Sequence, residues 1–154
     1  MLANNARGYF PYTPATNLLY GLDEALDMLA EEGLDNVFAR HRRFAKATRA
    51  ALDAWQLENL CLDDKAYSNS TTAVLMPGDH DADALRGIIL DKFNMSLGTG
   101  LGKVKGKVFR IGHIGDFNDL SLIGTLGGVE MGLDIAQVPF KKGGVQAAMD
   151  FLAK

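Results

Sequence analysis

The 154-residue sequence predicts a mixed α/β (α+β) fold in which helices cover one face of a small β-sheet. Three observations lead to this prediction. Apolar residues recur at helical spacing over most of the chain, only two stretches have the β-branched and apolar content of strands, and predicted helices separate these two stretches. The length suits one folding unit, and no internal repeat or low-complexity tract divides it.

Charge and composition exclude several classes of partner. The formal net charge of −3 gives no global attraction for nucleic acid or for an anionic membrane surface, so neither is expected to bind. Cys61 is the only cysteine, which rules out an intrachain disulfide and makes a reducing cytoplasm the expected compartment. No apolar run reaches the roughly 20 residues of a membrane span, and the start MLANNARGYF does not read as a signal peptide.

The first 55 residues predict two helices after a turn-rich start. The first helix covers about residues 17 to 31, and Gly33 follows it where a C-cap belongs. Its apolar stripe is Leu18, Leu22, Ala25, Leu26 and Leu29. Asp35 or Asn36 can cap the second helix. The stripe of the second helix is Val37, His41, Phe44, Ala45, Thr48, Leu52 and Trp55, and its basic residues lie mostly off that stripe, as on a solvated face.

Two predicted strands flank a third helix. The run STTAVLM is typical of a strand, and the turn PGDHD ends it before a helix that Asp81 can cap. A glycine-rich connection then leads to KVFRIGHI. Because side chains alternate along a strand, Val108, Arg110, Gly112 and Ile114 are expected on one face, and Phe109, Ile111 and His113 on the other.

The remaining chain predicts two more helices. A fourth helix is expected to begin at a cap formed by Asp116, and its glycines Gly124, Gly127 and Gly128 suggest that another backbone approaches closely. Its predicted packing stripe is Leu120, Ile123, Gly127 and Met131. Residues 139 to 144 form a loop, and VQAAMDFLAK a short closing helix.

Arg110 is the strongest candidate for a functional residue. An arginine in an apolar strand needs a partner, because its planar fork of donors is costly to bury alone and matches a carboxylate. One reading pairs it with Asp116 or another carboxylate of the chain. The other reading gives it the carboxylate of a small ligand, with charge-assisted hydrogen bonds of roughly 1.5 to 3 kcal/mol each.

Other motifs give weaker indications of a functional site. The run GTGLGKVKGK fails the Walker pattern in its glycine spacing, and it precedes a strand, whereas a dinucleotide fingerprint follows one. His41, His80 and His113 show no ligand spacing, so no metal site is expected. His113 is either a sheet histidine whose hydrogen bonds are satisfied within the chain or a residue that lines a site near Arg110. The stretch YFPYTPAT places hydroxyl groups before a helix start, which suits either an anion such as phosphate or a rigid turn.

Four stretches together resemble the C-terminal portion of the class V pyridoxal-phosphate aminotransferases, of the serine–glyoxylate and alanine–glyoxylate kind. They are GYFPYTPATNLLYGLDEAL, SNSTTAVLMP, NMSLGTGLGKVKGKVFRIGHIGDFND and KKGGVQAAMDFL. The resemblance covers about residues 4 to 153, and the glycine turn leading into KVFRIG is its most specific part. It implies the small C-terminal domain of the fold-type I enzymes, with a small, mostly antiparallel sheet preceded by a long linking helix.

The resemblance also implies roles for individual residues. Arg110 matches the arginine that binds the substrate carboxylate, and Thr99 and Gly100 match the turn beside the substrate. Thr13 matches a threonine that contacts the cofactor phosphate across the dimer interface. The family's tyrosine at that contact falls on Phe10 in a gap-free match, which leaves Tyr9 or Tyr12 as candidates.

The family's Schiff-base lysine and its aspartate at the pyridine nitrogen both lie N-terminal to the region of resemblance. Lys103, Lys105 and Lys107 are no substitute, because a flexible, exposed amine lacks the desolvation that activates Schiff-base lysines. The chain is therefore expected to lack a catalytic residue, to bind no cofactor alone and to be inactive alone. It corresponds to about the last two fifths of an enzyme, as an incomplete reading frame, a truncated gene product or half of a split gene.

These implications set the expected organisation and partners. Residues 1 to 16 would be an irregular lead-in from the missing large domain, and residues 17 to 154 the small domain with its linking helix. Expected partners are a small amino-acid or oxo-acid substrate, the missing N-terminal domain and a second copy, through a homodimer or self-association. Two alternatives remain open: a stand-alone carboxylate-binding or regulatory module, and a purely structural remnant.

Overall fold

The computed structural model describes residues 2–154, and it confirms the mixed fold with four strands and six helices. The helices are α1 (Leu2–Asn5), α2 (Thr16–Glu32), α3 (Leu34–Trp55), α4 (Ala82–Phe93), α5 (Asp119–Ile135) and α6 (Gly144–Leu152). The strands are β1 (Glu58–Asn59), β2 (Thr71–Leu75), β3 (Gly98–Thr99) and β4 (Val108–Gly112). The chain forms two compact units that divide between Phe38 and Ala39, within α3.

The first unit is dominated by α2, whose apolar side chains are exposed. The helix ends as predicted, at Gly33 with φ of 81°, and the Gly33 N–H bonds the carbonyl of Leu29. None of its residues is buried. The exposed apolar side chains of α2 are Leu18, Leu19, Tyr20, Leu22, Leu26, Met28 and Leu29. An apolar helix face of this size in water is typical of a surface that another protein segment covers.

The second unit is built on one antiparallel sheet with the strand order β1-β2-β4-β3. Strand β4 therefore lies inside the sheet, between β2 and the short edge strand β3. In this register Arg110 lies opposite Ala73 of β2 and opposite Gly98 of β3. Because directly paired residues share a face, Arg110 has two small neighbours on its side of the sheet.

Within residues 39–154, helices pack on one face of this sheet, as the sequence predicts. Phe109 and Ile111 on that face are fully buried, whereas Arg110 on the opposite face is half-buried and Gly112 is exposed. Val108 is the exception, because it is buried although it shares the Arg110 face. The core includes the buried side chains Phe44, Leu52, Trp55, Leu85, Ile89, Leu122, Leu126 and Leu133 from α3, α4 and α5.

The capping prediction for α4 is confirmed. The Asp81 side chain accepts a hydrogen bond from the Asp83 N–H at 2.8 Å, which satisfies one of the free donors of the first turn. The helix ends at Asn94, which adopts a left-handed conformation with φ of 51°. This cap fixes the first turn of α4, which includes Asp83, a residue that accepts a hydrogen bond from Thr99 of β3.

The predicted cap and packing face of α5 are wrong. Asn118, and not Asp116, caps the helix, because its side-chain oxygen lies 2.8 Å from the Ser121 N–H. Leu120 and Met131 of the predicted stripe are 82% and 51% exposed. The side chains that pack are Leu122, Leu126, Val129 and Leu133. The helix is apolar on both faces, so its pattern does not distinguish the packed face from the exposed one.

The glycines of α5 follow the corrected face. A Cβ at Gly128 would overlap Met95, and one at Gly132 would overlap Ile89 of α4, so these two positions allow close packing. A Cβ at Gly124 or Gly127 would meet no atom of another part of the chain within 4 Å. Close approach is thus confirmed at Gly128 alone of the three predicted glycines, and the approaching groups are side chains and not a backbone.

Glu130 of α5 joins three helices. One carboxylate oxygen accepts the Trp55 indole N–H at 2.7 Å and the Val145 N–H at 3.1 Å, and the other accepts the Gly143 N–H at 3.1 Å. Burial by itself raises the pKa of Glu130, but the hydrogen bonds from Trp55, Val145 and Gly143 outweigh it and lower that pKa. The ionised carboxylate therefore fixes the start of α6 against α3 and α5.

Among residues 2–154, no helix combines the length and apolar character that crossing a bilayer requires.

Candidate functional site

Arg110 presents its guanidinium on the open face of the sheet. Its Nε–H donates a hydrogen bond to the Thr99 carbonyl at 3.0 Å. Within residues 2–154, the two terminal amino groups of Arg110 have no hydrogen-bond partner and no ion pair with a carboxylate. The pairing with Asp116 that the sequence left open is therefore absent. The half-buried guanidinium of Arg110 thus has two terminal amino groups without a protein partner in the described residues, and a planar fork of this kind matches a carboxylate.

The two residues that pair with Arg110 in the sheet are small and leave space for its side chain. A Cβ placed on Gly98 would lie 3.0 Å from both Cβ and Nε of Arg110, closer than most real contacts. Ala73 is the opposing residue on the other side. A larger side chain at either position would compete with Arg110 for space, so the two small residues leave the guanidinium accessible.

Thr99 lies next to Arg110 and Gly100 follows it in the chain, but the polar groups of both are engaged in hydrogen bonds. The Thr99 hydroxyl donates to Asp83 Oδ1 at 2.9 Å, and the Gly100 N–H donates to the Val108 carbonyl at 2.9 Å. A Cβ on Gly100 would overlap the carbonyl of Val104. In this arrangement the two residues hold the turn beside Arg110.

Asp83 and Arg86 of α4 belong to the same cluster, and the sequence analysis missed both. Asp83 Oδ1 accepts from Arg86 Nη1 at 2.8 Å, and Arg86 Nε donates to the Leu97 carbonyl at 2.8 Å. The hydrogen bonds from Thr99 and then Arg86 lower the pKa of Asp83. The three-residue spacing of Asp83 and Arg86 on one helix face was the available signal, but it does not reveal the contact with Thr99.

His113 is a buried residue of the core, on the sheet face opposite Arg110. Its Nδ1 lies 3.1 Å from the Asn69 carbonyl, which can only accept, so Nδ1 carries the proton and Nε2 accepts from the Thr72 hydroxyl at 3.0 Å. Burial lowers the pKa of His113 from 6.5 to about 4. This geometry supports the prediction that His113 is a sheet histidine whose two ring nitrogens are hydrogen-bonded within the chain.

We expect His113 to make the protein less stable in mild acid. The unfolded chain binds a proton below about pH 6.5, whereas folded His113 stays neutral until about pH 4, so its contribution is lost as the pH falls through this window. The free energy of unfolding should drop by about 2 kcal/mol between pH 7 and pH 5 through this group. Urea unfolding at the two pH values measures it. The decrease in unfolding free energy between pH 7 and pH 5 should be smaller in His113→Gln and unchanged in His80→Gln. An equal decrease in the unmodified protein and both variants would show that His113 is not its source.

The predicted cofactor-binding residues lie in the first unit, before α2. Tyr9 and Tyr12 are 72% and 81% exposed, Thr13 is also exposed, and no hydrogen bond of their hydroxyls is found within residues 2–154. The helix begins at Thr16, and its N-cap residue Ala15 provides no side-chain cap. Free hydroxyls before an uncapped helix N-terminus are a donor set that fits a phosphate group.

The lysines and the remaining histidines add no buried reactive group. All nine lysines are exposed: Lys46, Lys65, Lys92, Lys103, Lys105, Lys107, Lys141, Lys142 and Lys154. The amines that form Schiff bases in enzymes are activated by desolvation or by a neighbouring cation, and exposure provides no desolvation. His41 accepts the Gly115 N–H at 3.2 Å. In the described part of the chain, no group of His, Cys, Asp or Glu side chains could hold a metal ion.

The chain is similar to known aminotransferases over nearly its whole length. It is 50% identical over 145 residues to the serine–glyoxylate aminotransferase of Arabidopsis thaliana, which covers 94% of this chain and 36% of that protein. It is 46% identical over 155 residues to the serine–glyoxylate aminotransferase of Hyphomicrobium methylovorum, covering 100% of this chain and 38% of the relative. No protein-family model matches the chain.

A solved structure has the same fold. The ureidoglycine–glyoxylate aminotransferase of Bacillus subtilis superposes with a TM-score of 0.86 at 31% identity, covering 93% of this chain and 37% of that one. The chain thus spans less than two fifths of the length of the relatives that it matches. Together with the sheet and the Arg110 strand, these similarities show that the chain belongs to the class V pyridoxal-phosphate-dependent aminotransferases and corresponds to their C-terminal portion.

Proposed function

We propose that this chain is the substrate-carboxylate-binding part of an aminotransferase that transfers an amino group from serine or alanine to glyoxylate. The observation that carries the proposal is the guanidinium of Arg110, whose terminal amino groups have no protein partner within residues 2–154 and lie on the uncovered sheet face. A small amino acid or oxo acid has one carboxylate that this fork can receive.

The geometry supports an end-on mode of binding. Because Nε of Arg110 already donates to Thr99, the two terminal amino groups remain for the two carboxylate oxygens. Each charge-assisted bond contributes roughly 1.5 to 3 kcal/mol. Two parallel bonds also fix the orientation of the substrate, which places its α-carbon at a defined distance from the guanidinium.

The names of the relatives support glyoxylate as the acceptor. The Arabidopsis thaliana, Hyphomicrobium methylovorum and Bacillus subtilis proteins are all described as glyoxylate aminotransferases, whereas serine and ureidoglycine differ as the named donors. Serine is the named donor of the Arabidopsis thaliana and Hyphomicrobium methylovorum relatives, which are 50% and 46% identical to this chain. Arg110 contacts the group that all of these substrates share, and so it does not by itself select the donor.

In the intact enzyme, pyridoxal phosphate supplies the electron-withdrawing ring that carries the amino group between the two substrates. Tyr9 or Tyr12 together with Thr13 would contact its phosphate, and the free hydroxyls before α2 support this role. We place the lysine that binds the cofactor covalently outside this chain, since every lysine present is exposed. On this account the chain has no catalytic residue of its own and is inactive alone.

We further propose the partners and the domain limits. Residues 17 to 154 form the small domain with its linking helix, and residues 1 to 16 are a lead-in from a larger N-terminal part. The exposed apolar face of α2 supports docking against that part or against a second copy in a homodimer. We also propose a cytoplasmic location, which the single cysteine supports because it cannot form an intrachain disulfide.

A hybrid enzyme tests the proposed function. In it, this chain replaces the matching C-terminal region of the Hyphomicrobium methylovorum relative, chosen because the match covers the whole chain. The hybrid should bind pyridoxal phosphate and transfer the amino group of serine to glyoxylate, whereas the chain alone should not. A folded, cofactor-loaded hybrid without transamination would refute the proposal, and its retained binding of small carboxylates would favour the alternative of a binding module.

A further inference from the structure

We propose that Asp83 and Arg86 of α4 are positioning residues for Arg110, and that they act through strand β3. This inference rests on the proposed function, because it explains how the carboxylate-binding guanidinium is held in place. Neither residue reaches Arg110 directly. Asp83 bonds Thr99 of β3, whose carbonyl bonds Arg110, and Arg86 bonds Leu97, the residue directly before β3.

First, two side chains of α4 attach β3 and the residue directly before it to that helix. The Asp83 carboxylate accepts the Thr99 hydroxyl at 2.9 Å, and the Arg86 Nε donates to the Leu97 carbonyl at 2.8 Å. Asp83 and Arg86 also bond each other at 2.8 Å, so the two side chains act as one clamp. The clamp holds the residue before Gly98 and the residue after it.

The second step is the weakness of β3 without this clamp. The strand has only two residues, lies at the edge of the sheet and pairs only with β4. A two-residue edge strand has few ladder hydrogen bonds to keep it in register. Gly98 adds backbone freedom, because glycine has no side chain to pack and accepts many conformations. The contacts with α4 therefore supply a large share of what fixes this segment.

The third step is the contact between β3 and Arg110. The Thr99 carbonyl accepts the Arg110 Nε–H at 3.0 Å, and Gly98 lies directly against the start of the Arg110 side chain. Thr99 is thus held by Asp83 through its hydroxyl and holds Arg110 through its carbonyl. A long side chain that is restrained before the ligand arrives loses less conformational freedom on binding.

The test observes Arg110 directly by NMR in the full chain, labelled with ¹⁵N. The Nε–Hε signal of Arg110 is identified by its loss in Arg110→Lys, and its exchange with water is then measured without any ligand. In Thr99→Val, which keeps the side-chain shape but removes the hydroxyl, we expect exchange to be about fivefold faster. Asp83→Ala should give the same increase, because it removes the acceptor for both Thr99 and Arg86.

Two matched variants separate positioning from a general loss of stability. Thr99→Ser keeps the hydroxyl and should restore the exchange rate of the unmodified chain. Asp91→Ala removes an exposed carboxylate from the same helix and should leave the Arg110 signal unchanged. Urea unfolding checks that each variant is folded, and if Thr99→Val is not, the comparison of Asp83→Ala with Asp91→Ala decides.

The outcomes distinguish this inference from the proposed function. If folded Thr99→Val and Asp83→Ala proteins leave the shift and exchange of the Arg110 signal unchanged, the clamp does not position Arg110 and the inference is overturned. If exchange rises as expected but Arg110→Lys leaves the hybrid enzyme fully active, the positioning inference stands and the proposed function fails.

Discussion

Replacing Arg110 with lysine is expected to lower kcat/KM for serine about 100-fold in the hybrid enzyme. Lysine keeps the positive charge but cannot form two parallel bonds to one carboxylate or keep the Nε bond to Thr99. The loss corresponds to about 3 kcal/mol, which is the size of one to two charge-assisted hydrogen bonds. Steady-state kinetics over a range of serine and glyoxylate concentrations measures it.

Arg42→Lys is the matched control for this substitution. Arg42 is exposed on α3, and no hydrogen bond or ion pair of its side chain is found in residues 2–154, so the same chemical change there should leave kcat/KM within a factor of about 2. Both variants should unfold at the same urea concentration as the unmodified hybrid. A similar kcat/KM in the two variants would show that Arg110 does not bind the substrate.

Replacing Glu130 with alanine is expected to destabilise the chain by about 3 kcal/mol. The substitution leaves the buried Trp55 indole N–H without its acceptor and releases the N–H groups of Gly143 and Val145 at the start of α6. Each of these bonds is charge-assisted, and an unpaired buried donor costs more than an ordinary hydrogen bond contributes. The free energy of unfolding in urea, followed by Trp55 fluorescence, measures the effect.

Two further variants test the size of the destabilisation expected for Glu130→Ala. Glu130→Gln keeps one acceptor oxygen and should cost about half as much. Asp134→Ala removes another carboxylate of α5, one that pairs with Lys142 at the surface, and should cost about 0.5 kcal/mol or less. If Glu130→Ala and Asp134→Ala destabilise the chain equally, the three-helix junction contributes no more than a surface ion pair.

The sequence predicts those parts of the fold that depend on local chemistry. The alternation in KVFRIGHI places Arg110 on one face of the sheet and Phe109 and Ile111 on the other, because a strand has a period of two. The face with Phe109 and Ile111 is the buried one. Asp81 and Gly33 mark helix ends, because an acceptor side chain and a positive φ are local requirements.

The orientation of α5 could not be predicted in this way. Its apolar residues surround the helix, so the stripe with Leu120 and Met131 is as plausible as the one with Leu122 and Leu126. The choice depends on which side chains of α4 and α6 fill the space beside it, and that information is tertiary. The error at Asp116 has the same character, since Asn118 becomes the cap only once the preceding loop has its final path.

In the candidate site too, the sequence predicts the features that depend on local chemistry and does not predict the tertiary contacts. Arg110 stands out in the sequence because a charge in an apolar strand needs an explanation, and the family resemblance implies the carboxylate-binding role that we propose for it. The contact of Asp83 with Thr99 joins residues that are 16 positions apart, and only the packing of α4 against β3 brings them together. The unpaired terminal amino groups of Arg110 are likewise a property of the folded chain.

The most direct test of the carboxylate role compares serine with serinamide as amino donors for the hybrid enzyme. The amide keeps the amino group and side chain of serine but lacks the charge that the Arg110 fork would bind. The account predicts that the unmodified hybrid prefers serine by about 100-fold in kcat/KM, and that Arg110→Lys removes most of this preference by slowing the reaction with serine. An unchanged ratio of the two kcat/KM values in Arg110→Lys would contradict the account, because Arg110 would then not contact the carboxylate.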